Sequence, residues 1–261
     1  MAVLKDVKRI VVKVGTSTLT YSTGKTNIRR MHKLVSVLSD IVNSGIEVAL
    51  VTSGAIGVGV GKLGLSEKPA DTAGKQAAAT IGQCELMFMY DKLFGEYGHT
   101  VGQLLITKSD VENDERRQNL VNTFNKLFDF GAIPVINEND SVAVEEIVYG
   151  DNDSLSAIVA KLINADALII LTDIDGLYDS NPNENEDAKL IPLVTEIDEN
   201  LYQIAGGRGS TLGTGGMVTK LHAAEITMAA GIDTIVMNGE NPTEIYKALD
   251  GKQVGTFFKG K

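Results

Sequence analysis

Cysteine is almost absent from this sequence of 261 residues, which contains only Cys84, and tryptophan is absent altogether. A single cysteine forms no internal disulfide, and a chain of this length buries roughly 70–75% of its unfolded surface, enough to fold without a cross-link. The unpaired thiol predicts a reducing, cytoplasmic environment. The histidines His32, His99 and His222 match neither an H-E-x-x-H motif nor a cysteine–histidine cluster. The sequence therefore predicts no zinc site held by protein ligands.

Long apolar runs and an excess of positive charge are also missing. No run approaches the roughly 18 apolar residues of a membrane-spanning helix. Charged residues interrupt the first fifteen positions, unlike the apolar region of a signal peptide. The formal net charge is −10, which disfavours general binding of nucleic acid or of an anionic membrane surface. We therefore expect no nucleic acid and no membrane partner, and any phosphate site has to be local.

Short runs of Val, Ile and Leu alternate along the chain with amphipathic helical segments, a pattern typical of parallel strands joined by crossover helices. The runs lack polar alternation, as expected for strands covered on both faces. The predicted strands are 9–14, 47–52, 101–107, 133–137, 167–172 and 234–237, and the predicted helices are 27–43, 71–97, 114–130, 153–164, 215–230 and 243–249. We expect an α/β fold around a mainly parallel sheet, in a single domain covering residues 1–261.

Polar residues or glycine follow four of the predicted strands. In open α/β sheets, ligands bind outside the carboxyl ends of the strands, so the chemistry is expected there. The four segments are Lys13–Ser17, Thr52–Ala55, Asn137–Asp140 and Thr172–Asp173.

Three familiar motifs are incomplete or misleading. Gly24-Lys25-Thr26 resembles the end of a Walker A loop, but Leu19 stands where that motif needs glycine. The segment Gly59–Gly64 matches G-x-G-x-x-G, yet it begins well after a predicted strand and lacks a later acidic residue for a ribose. We interpret its glycines as helix packing and turn residues. Ser53 lies in Thr-Ser-Gly-Ala, outside the G-x-S-x-G motif of hydrolases.

Two segments have the chemistry of a phosphate site. Lys13 ends the first predicted strand and precedes Gly15, where backbone N–H groups and hydroxyls can face an anion. The segment Gly213–Lys220 opens a predicted helix, whose first N–H groups and dipole attract phosphate. Taken alone, a solvated lysine beside a turn and a loop entering a capped helix explain these segments equally well. Gly150–Asp153 contains two acids, of which a helix cap explains one. The coincidence of such signals at several strand ends favours a site.

Six segments, taken together and in order, carry a more specific likeness. They are Val12–Ser17, Val51–Ile56, Pro134–Asp140, Gly150–Asp153, Leu171–Asp173 with Gly176–Tyr178, and Gly213–Lys220. In this combination the sequence resembles the amino acid kinase family. The Asn-Glu-Asn-Asp and Gly-Asp-Asn-Asp segments resemble in particular its glutamate-phosphorylating members. Many of those relatives continue into a small C-terminal domain similar to RNA-binding modules. This sequence stops at Lys261, so we expect no such domain here.

The resemblance implies a three-layer αβα sandwich and ATP-dependent, Mg²⁺-dependent phosphorylation of the γ-carboxylate of L-glutamate, the first step of proline biosynthesis. It also implies feedback inhibition by proline and a homo-oligomer, either a dimer or a tetramer. Lys13 and Lys220 would hold the phosphoryl group, and Asp153 would orient these lysines. The implied glutamate ligands are Ser53, Gly54, Asp140 and Asn152. The implied nucleotide ligands are Lys13, Gly15, Thr172, Asp173, Thr214, Gly215, Gly216, Met217, Val218, Thr219 and Lys220, and no protein ligand to a metal is implied.

The residue types suit this reaction. A side-chain carboxylate with a pKa near 4.3 is already an anionic nucleophile at neutral pH, so no general base is needed. Two anions about 4 Å apart repel by about 4 kcal/mol at an effective dielectric constant of 20, and cations have to offset that repulsion. Related kinases of acetylglutamate, aspartate, carbamate or UMP stay open as alternatives. A non-catalytic amino-acid sensor is disfavoured because both lysines are present, and RNA binding is disfavoured by the net charge.

Overall fold

The computed structural model describes residue 4 and residues 6–21, 25–142, 152–182, 184–206 and 216–261. In these ranges the chain is an α/β protein with eight strands, whose pairings are mostly parallel, which confirms the predicted class. The strands are β1 Arg9–Val14, β2 Glu47–Val51, β3 Val101–Ile106, β4 Ile133–Glu138, β5 Ala167–Thr172, β6 Leu193–Val194, β7 Asp233–Asn238 and β8 Thr256–Phe258. The helices are α1 Thr16–Leu19, α2 Ile28–Asn43, α3 Ala55–Leu63, α4 Thr72–Gly95, α5 Lys108–Glu112, α6 Asp114–Asp129, α7 Asn152–Leu162, α8 Glu199–Ile204, α9 Met217–Ala229 and α10 Glu244–Leu249.

The chain divides into two compact units, one made of residues 1–13 and 149–261 and the other of residues 14–148. In the first unit the strand order is β1-β5-β7-β8-β6, with β5 and β7 parallel and β7 and β8 antiparallel. In the second unit the order is β3-β4-β2, and both pairs are parallel. The expectation of a single domain over residues 1–261 stays a prediction.

Buried aliphatic strands form the centre of each unit. Every residue of β5 is buried, as are the last five of β1 and the last four of β2. This burial on both faces is what the absence of polar alternation predicted. Within the described ranges, no helix combines the length and the apolar character that crossing a bilayer requires.

Glycines allow helices α3 and α4 to pack backbone against backbone. A Cβ atom on Gly59 would lie 1.8 Å from the Ala78 carbonyl oxygen, and one on Gly82 would lie 1.8 Å from the Ala55 carbonyl oxygen. Gly64, with φ of +68°, ends α3 in the left-handed conformation. The interpretation of the G-x-G-x-x-G match as packing and turn glycines is therefore confirmed.

We expect Gly82→Ala to destabilise the fold, because its new methyl group would overlap the backbone of α3. Overpacking of this kind typically costs about 1–3 kcal/mol, which lowers the Tm of a domain of this size by roughly 2–4 °C per kcal/mol. Gly95→Ala is a matched control in the same helix, since its Cβ would meet nothing within 4 Å. Thermal unfolding followed by circular dichroism measures both variants. Equal Tm values for the two would contradict the packing argument.

Candidate active site

Two lysines from distant parts of the sequence meet at one buried carboxylate. Lys13 lies in β1, Asp153 lies in the first turn of α7, and Lys220 lies in the first turn of α9. The Lys13 Nζ atom is 2.5 Å from Asp153 Oδ1, and the Lys220 Nζ atom is 3.0 Å from Asp153 Oδ2. Asp153 is 0% exposed, and the lysines are 5% and 4% exposed. The convergence that the sequence predicted for these residues is therefore present.

Two ammonium groups and one carboxylate meet in this cluster, in a site from which water is largely removed. Two positive charges so close together favour the approach of an anion. The Thr219 hydroxyl lies 2.9 Å from Asp153 Oδ2 and 2.6 Å from the Gly216 carbonyl oxygen, and adds a polar contact to the cluster.

The local helices explain why the carboxylate is needed. A cation in the first turn of a helix is disfavoured by the positive end of the helix dipole, and Lys220 occupies such a position in α9. Asp153 has the favourable arrangement, because its negative charge lies in the first turn of α7. The Asp153 carboxylate therefore offsets both the dipole of α9 and the repulsion between the two lysines.

The predicted nucleotide residues lie at strand and helix ends. Gly216 is the N-cap of α9, and Met217, Val218 and Thr219 form its first turn with Lys220. Thr214 and Gly215 lie outside the described residues, as do Gly150, Asp151 and Gly213. At the end of β5, the Thr172 hydroxyl is 3.1 Å from Asp173 Oδ1. Thr172 is buried, and Asp173 is exposed. Gly15 directly follows β1 and is the N-cap of α1.

Sequence reasoning missed a polar group beside these residues. Asn238 ends β7 and pairs in register with Thr172 of β5. Its Nδ2 atom donates to Asp175 Oδ1 at 2.9 Å, and the Tyr178 hydroxyl lies 3.4 Å from Asp175 Oδ2. Burial, followed by the Asp175 charge, raises the pKa of the Tyr178 hydroxyl. Asn238 directly follows the sixth predicted strand, and a polar residue in that place was the signal that could have indicated it.

In the unit of residues 14–148, the loop after β2 closely approaches the loop after β1. The Ser53 hydroxyl donates to the Val14 carbonyl oxygen at 3.1 Å and lies 3.3 Å from the Thr16 hydroxyl. Gly54 has φ of +94° and is the N-cap of α3, and a Cβ atom there would lie 3.1 Å from Thr16 Cγ2. The left-handed conformation favours glycine at position 54, and the nearby Thr16 methyl group leaves little room for a side chain there.

The same unit contains a cavity of about 350 Å³. Helices α3 and α4, strand β3 and the segment that follows β4 line it, through Ala55, Ala79, Thr80, Gln83, Cys84, Met87, Gln103, Leu105, Glu138, Asn139, Asp140 and Ser141. Burial raises the pKa of the Asp140 carboxyl, against the smaller opposing effect of the Lys68 charge. A partly desolvated carboxylate of this kind is suited to a cationic ligand group.

The predicted glutamate ligands are distributed over both units. Ser53, Gly54 and Asp140 belong to residues 14–148, and Asp140 lines the cavity together with Ala55, the neighbour of Gly54. Asn152 belongs to the other unit, where it is buried as the first residue of α7, next to Asp153. The roles given to these residues stay predictions.

Comparisons with known proteins identify a family for this chain. Residues 8–238 match the amino acid kinase family. Glutamate 5-kinase of Clostridium perfringens (strain 13 / Type A) is 55% identical, over 99% of this chain and 97% of that protein. Glutamate 5-kinase of Listeria innocua serovar 6a is 52% identical, over 99% of this chain and 95% of that protein.

Solved structures show the same fold. UMP kinase from Bacillus anthracis has a TM-score of 0.66 and 20% identity, and 98% of each chain is covered. Carbamate kinase from Giardia lamblia bound to AMP-PNP has a TM-score of 0.68 and 16% identity, covering 97% of this chain and 99% of that chain. The expected amino acid kinase fold and kinase class are thereby confirmed. With a family match over most of its length and relatives more than half identical to it, the chain belongs to the amino acid kinase family.

Proposed function

We propose that this chain transfers the γ-phosphoryl group of ATP to the γ-carboxylate of L-glutamate, the activity for which its relatives are named glutamate 5-kinase. The product is γ-glutamyl phosphate, the first intermediate of proline biosynthesis. The observation that carries the proposal is the buried Lys13–Asp153–Lys220 cluster, in which two ammonium groups meet at one carboxylate. Such a cluster suits a reaction in which one anion attacks another.

The reaction needs charge neutralisation more than it needs proton transfer. A carboxylate oxygen forms a bond to the γ-phosphorus, and the bond from that phosphorus to the bridging oxygen of ADP breaks. Phosphoryl transfer of this kind depends mainly on positioning and electrostatic stabilisation. Lys13 and Lys220 supply positive charge where the transferred group passes, and Asp153 holds both ammonium groups in place.

The nucleotide is held, in this proposal, by the first turn of α9 and by the end of β5. The N–H groups of Met217, Val218 and Thr219 lie at the positive end of a helix of 13 residues, where phosphate oxygens bind favourably. Thr172 and Asp173 provide a hydroxyl and a carboxylate as hydrogen-bonding groups for the nucleoside. Gly15, the N-cap of α1 at the end of β1, is the remaining proposed nucleotide ligand.

Magnesium fits this site as a companion of ATP. In the described ranges, no group of three or more His, Cys, Asp or Glu side chains is placed to hold a metal ion. The Asp153 carboxylate is already held by two lysines. Mg²⁺ is usually bound through substrate phosphates and waters with few protein ligands, which these residues allow. When bound, it would supply further positive charge to the β- and γ-phosphates.

Asp140 is proposed to bind the α-ammonium group of glutamate. We expect Asp140→Asn to raise the KM for glutamate about tenfold or more, because hydrogen bonds to charged groups contribute roughly 1.5–3 kcal/mol. The KM for ATP should stay unchanged. Steady-state kinetics with each substrate varied in turn measures both values, with the exposed Asp91→Asn of α4 as control. A loss of ATP affinity alone would contradict this role.

The same variant has a second expected effect, on stability. Burial raises the pKa of Asp140 above its ordinary value of 3.8, so the folded chain holds this proton more tightly than the unfolded chain. Stability therefore falls as the pH rises from 3.8 through the raised pKa. Asp140→Asn should be more stable than the wild type at pH 7, and this difference should shrink as the pH is lowered toward about 4. Equal Tm values at pH 7 would oppose this conclusion.

A substrate panel tests the proposed function directly. ADP release is measured with glutamate, aspartate, N-acetylglutamate, carbamate and UMP at equal concentrations. We expect glutamate to give the highest kcat/KM by a large factor. A higher value for another acceptor would assign the chain to a different activity in the same family, and no ADP with any of them would oppose a catalytic role.

Regulation and assembly are part of the same proposal. Proline shares the ammonium and carboxylate groups of glutamate, and we propose that it inhibits the enzyme. Titration of proline at a fixed glutamate concentration tests this point.

We also propose a homo-oligomer, a dimer or tetramer, in the cytoplasm. Light scattering after size-exclusion chromatography gives the subunit number.

A further inference from the structure

Gln83 is buried in the wall of the 350 Å³ cavity, and one end of its side chain has no hydrogen-bond partner among the residues that the structure describes. The residue lies in α4 and is 8% exposed. Its Oε1 atom accepts a hydrogen bond of 2.8 Å from Asn137 Nδ2. Among the residues that the structure describes, none makes a hydrogen bond with its Nε2 atom. A residue of the cavity wall therefore carries a buried N–H donor that no described group satisfies.

The orientation of this amide is fixed by its neighbours. Asn137 Oδ1 accepts the backbone N–H of Glu138 at 2.9 Å, so the Nδ2 end of Asn137 has to face Gln83. Gln83 therefore accepts this hydrogen bond with its oxygen, and its nitrogen is the end that has no partner among the described residues. Exchanging oxygen and nitrogen in Gln83 would set two donors against each other.

Leaving a buried donor unsatisfied destabilises a fold, so such a group calls for a functional role or for a partner from outside the protein. The partner has to be an acceptor. Asp140 lines the same cavity and supplies the opposite chemistry, a carboxylate that accepts from a cation. A donor and a carboxylate in one cavity together complement a zwitterion, whose ammonium and carboxylate groups are attached to the same carbon atom.

We propose that Gln83 Nε2 donates a hydrogen bond to the α-carboxylate of the amino-acid substrate whose ammonium group is bound by Asp140. Gln83 is then a specificity-determining residue that distinguishes α-amino acids from amines lacking the α-carboxylate. The inference rests on the proposed function for the identity of the amino acid. It does not depend on the transfer step.

The test compares L-glutamate with 4-aminobutanoate, which keeps the ammonium group and the distal carboxylate but lacks the α-carboxylate. Gln83→Glu keeps an oxygen to accept from Asn137 and replaces the free donor with a second oxygen. Gln83→Met removes the donor without adding charge. Gln103→Glu is the charge control, since Gln103 lines the same cavity from β3 but is exposed.

Cys84 offers a readout that does not require turnover. It is the single cysteine of the chain, it is exposed, and it lines the cavity. A ligand that fills the cavity should slow the reaction of this thiol with a disulfide reagent such as DTNB. The ligand concentration that halves the labelling rate then measures binding in each variant.

We expect Gln83→Glu and Gln83→Met to raise the half-protecting concentration of glutamate about tenfold or more, and to leave that of 4-aminobutanoate within about twofold. The proposal is overturned if glutamate does not protect Cys84, or if the Gln83 variants weaken the binding of glutamate and of 4-aminobutanoate equally. It is also overturned if Gln103→Glu weakens glutamate binding as much as Gln83→Glu does. Protection that depends on Gln83 without any ADP formation would uphold this inference and contradict the proposed function. Glutamate-dependent ADP formation, with the preference for glutamate over 4-aminobutanoate unchanged in the Gln83 variants, would uphold the proposed function and contradict this inference.

Discussion

Lys220→Ala is expected to lower the kcat of glutamate-dependent ADP formation about a hundredfold or more, and Lys13→Ala should do the same. Each lysine places a positive charge in a buried site from which water is largely removed. Removing one preorganised donor to a developing charge typically costs about 3 kcal/mol of transition-state stabilisation. Both effects should appear in kcat, because the lost interaction is strongest in the transition state.

The fold should survive either lysine substitution, since Asp153 keeps the other lysine as its partner. Circular dichroism checks that point. Lys126→Ala is the matched control, because Lys126 pairs with Asp129 at the surface of α6 and should leave turnover unchanged. Near-normal kcat in a folded Lys13 or Lys220 variant would remove the basis of the proposed mechanism.

Asp153→Asn is expected to have the largest effect on stability. The variant leaves two buried ammonium groups close together without their shared counter-ion. Removing one partner of a buried ion pair typically costs about 3–5 kcal/mol, which corresponds to a Tm lower by roughly 10 °C in a chain of this size. Turnover should fall as well, since neither lysine is then held in position.

Two controls separate charge from packing at Asp153. Asp114→Asn removes an exposed carboxylate that pairs with Arg117 on the surface of α6, and its Tm should barely change. The double variant Lys13→Met with Asp153→Asn removes one of the two lysine charges that shared this carboxylate. It should regain part of the lost stability without regaining activity. If the double variant is less stable than Asp153→Asn alone, repulsion between the lysines is not the cause.

Much of the fold was predictable because the aliphatic strands are buried on both faces. The bounds of β1 and β5 agree with their predicted ranges, and the other four predicted strands differ by one or two residues. The strands β6 and β8 were missed because two or three residues carry no measurable periodicity. Helix α3 was not among the predicted helices, since its glycines lower helix propensity while allowing its close approach to α4.

The charged residues of the candidate site were predictable from the sequence, but their mutual contact and Gln83 were not. Lys13, Asp153 and Lys220 follow from the rule that ligands bind at strand ends and helix N-termini, together with the family resemblance. Their common contact is a tertiary feature, and no local pattern encodes it. Gln83 was missed because a glutamine inside an amphipathic helix normally indicates a solvent-facing position. Only its hydrogen bond to Asn137 and its burial distinguish it.

We propose that Lys13 and Lys220 promote the transfer of a phosphoryl group onto a carboxylate. Trapping the product with hydroxylamine tests this step most directly. An acyl phosphate reacts with hydroxylamine to give a hydroxamate, which can be identified by mass. With ATP, Mg²⁺ and L-glutamate, we predict γ-glutamyl hydroxamate in equal amounts to ADP, and its loss in Lys13→Ala and Lys220→Ala. ADP formed without any hydroxamate, or hydroxamate formed equally well by the lysine variants, would contradict the account.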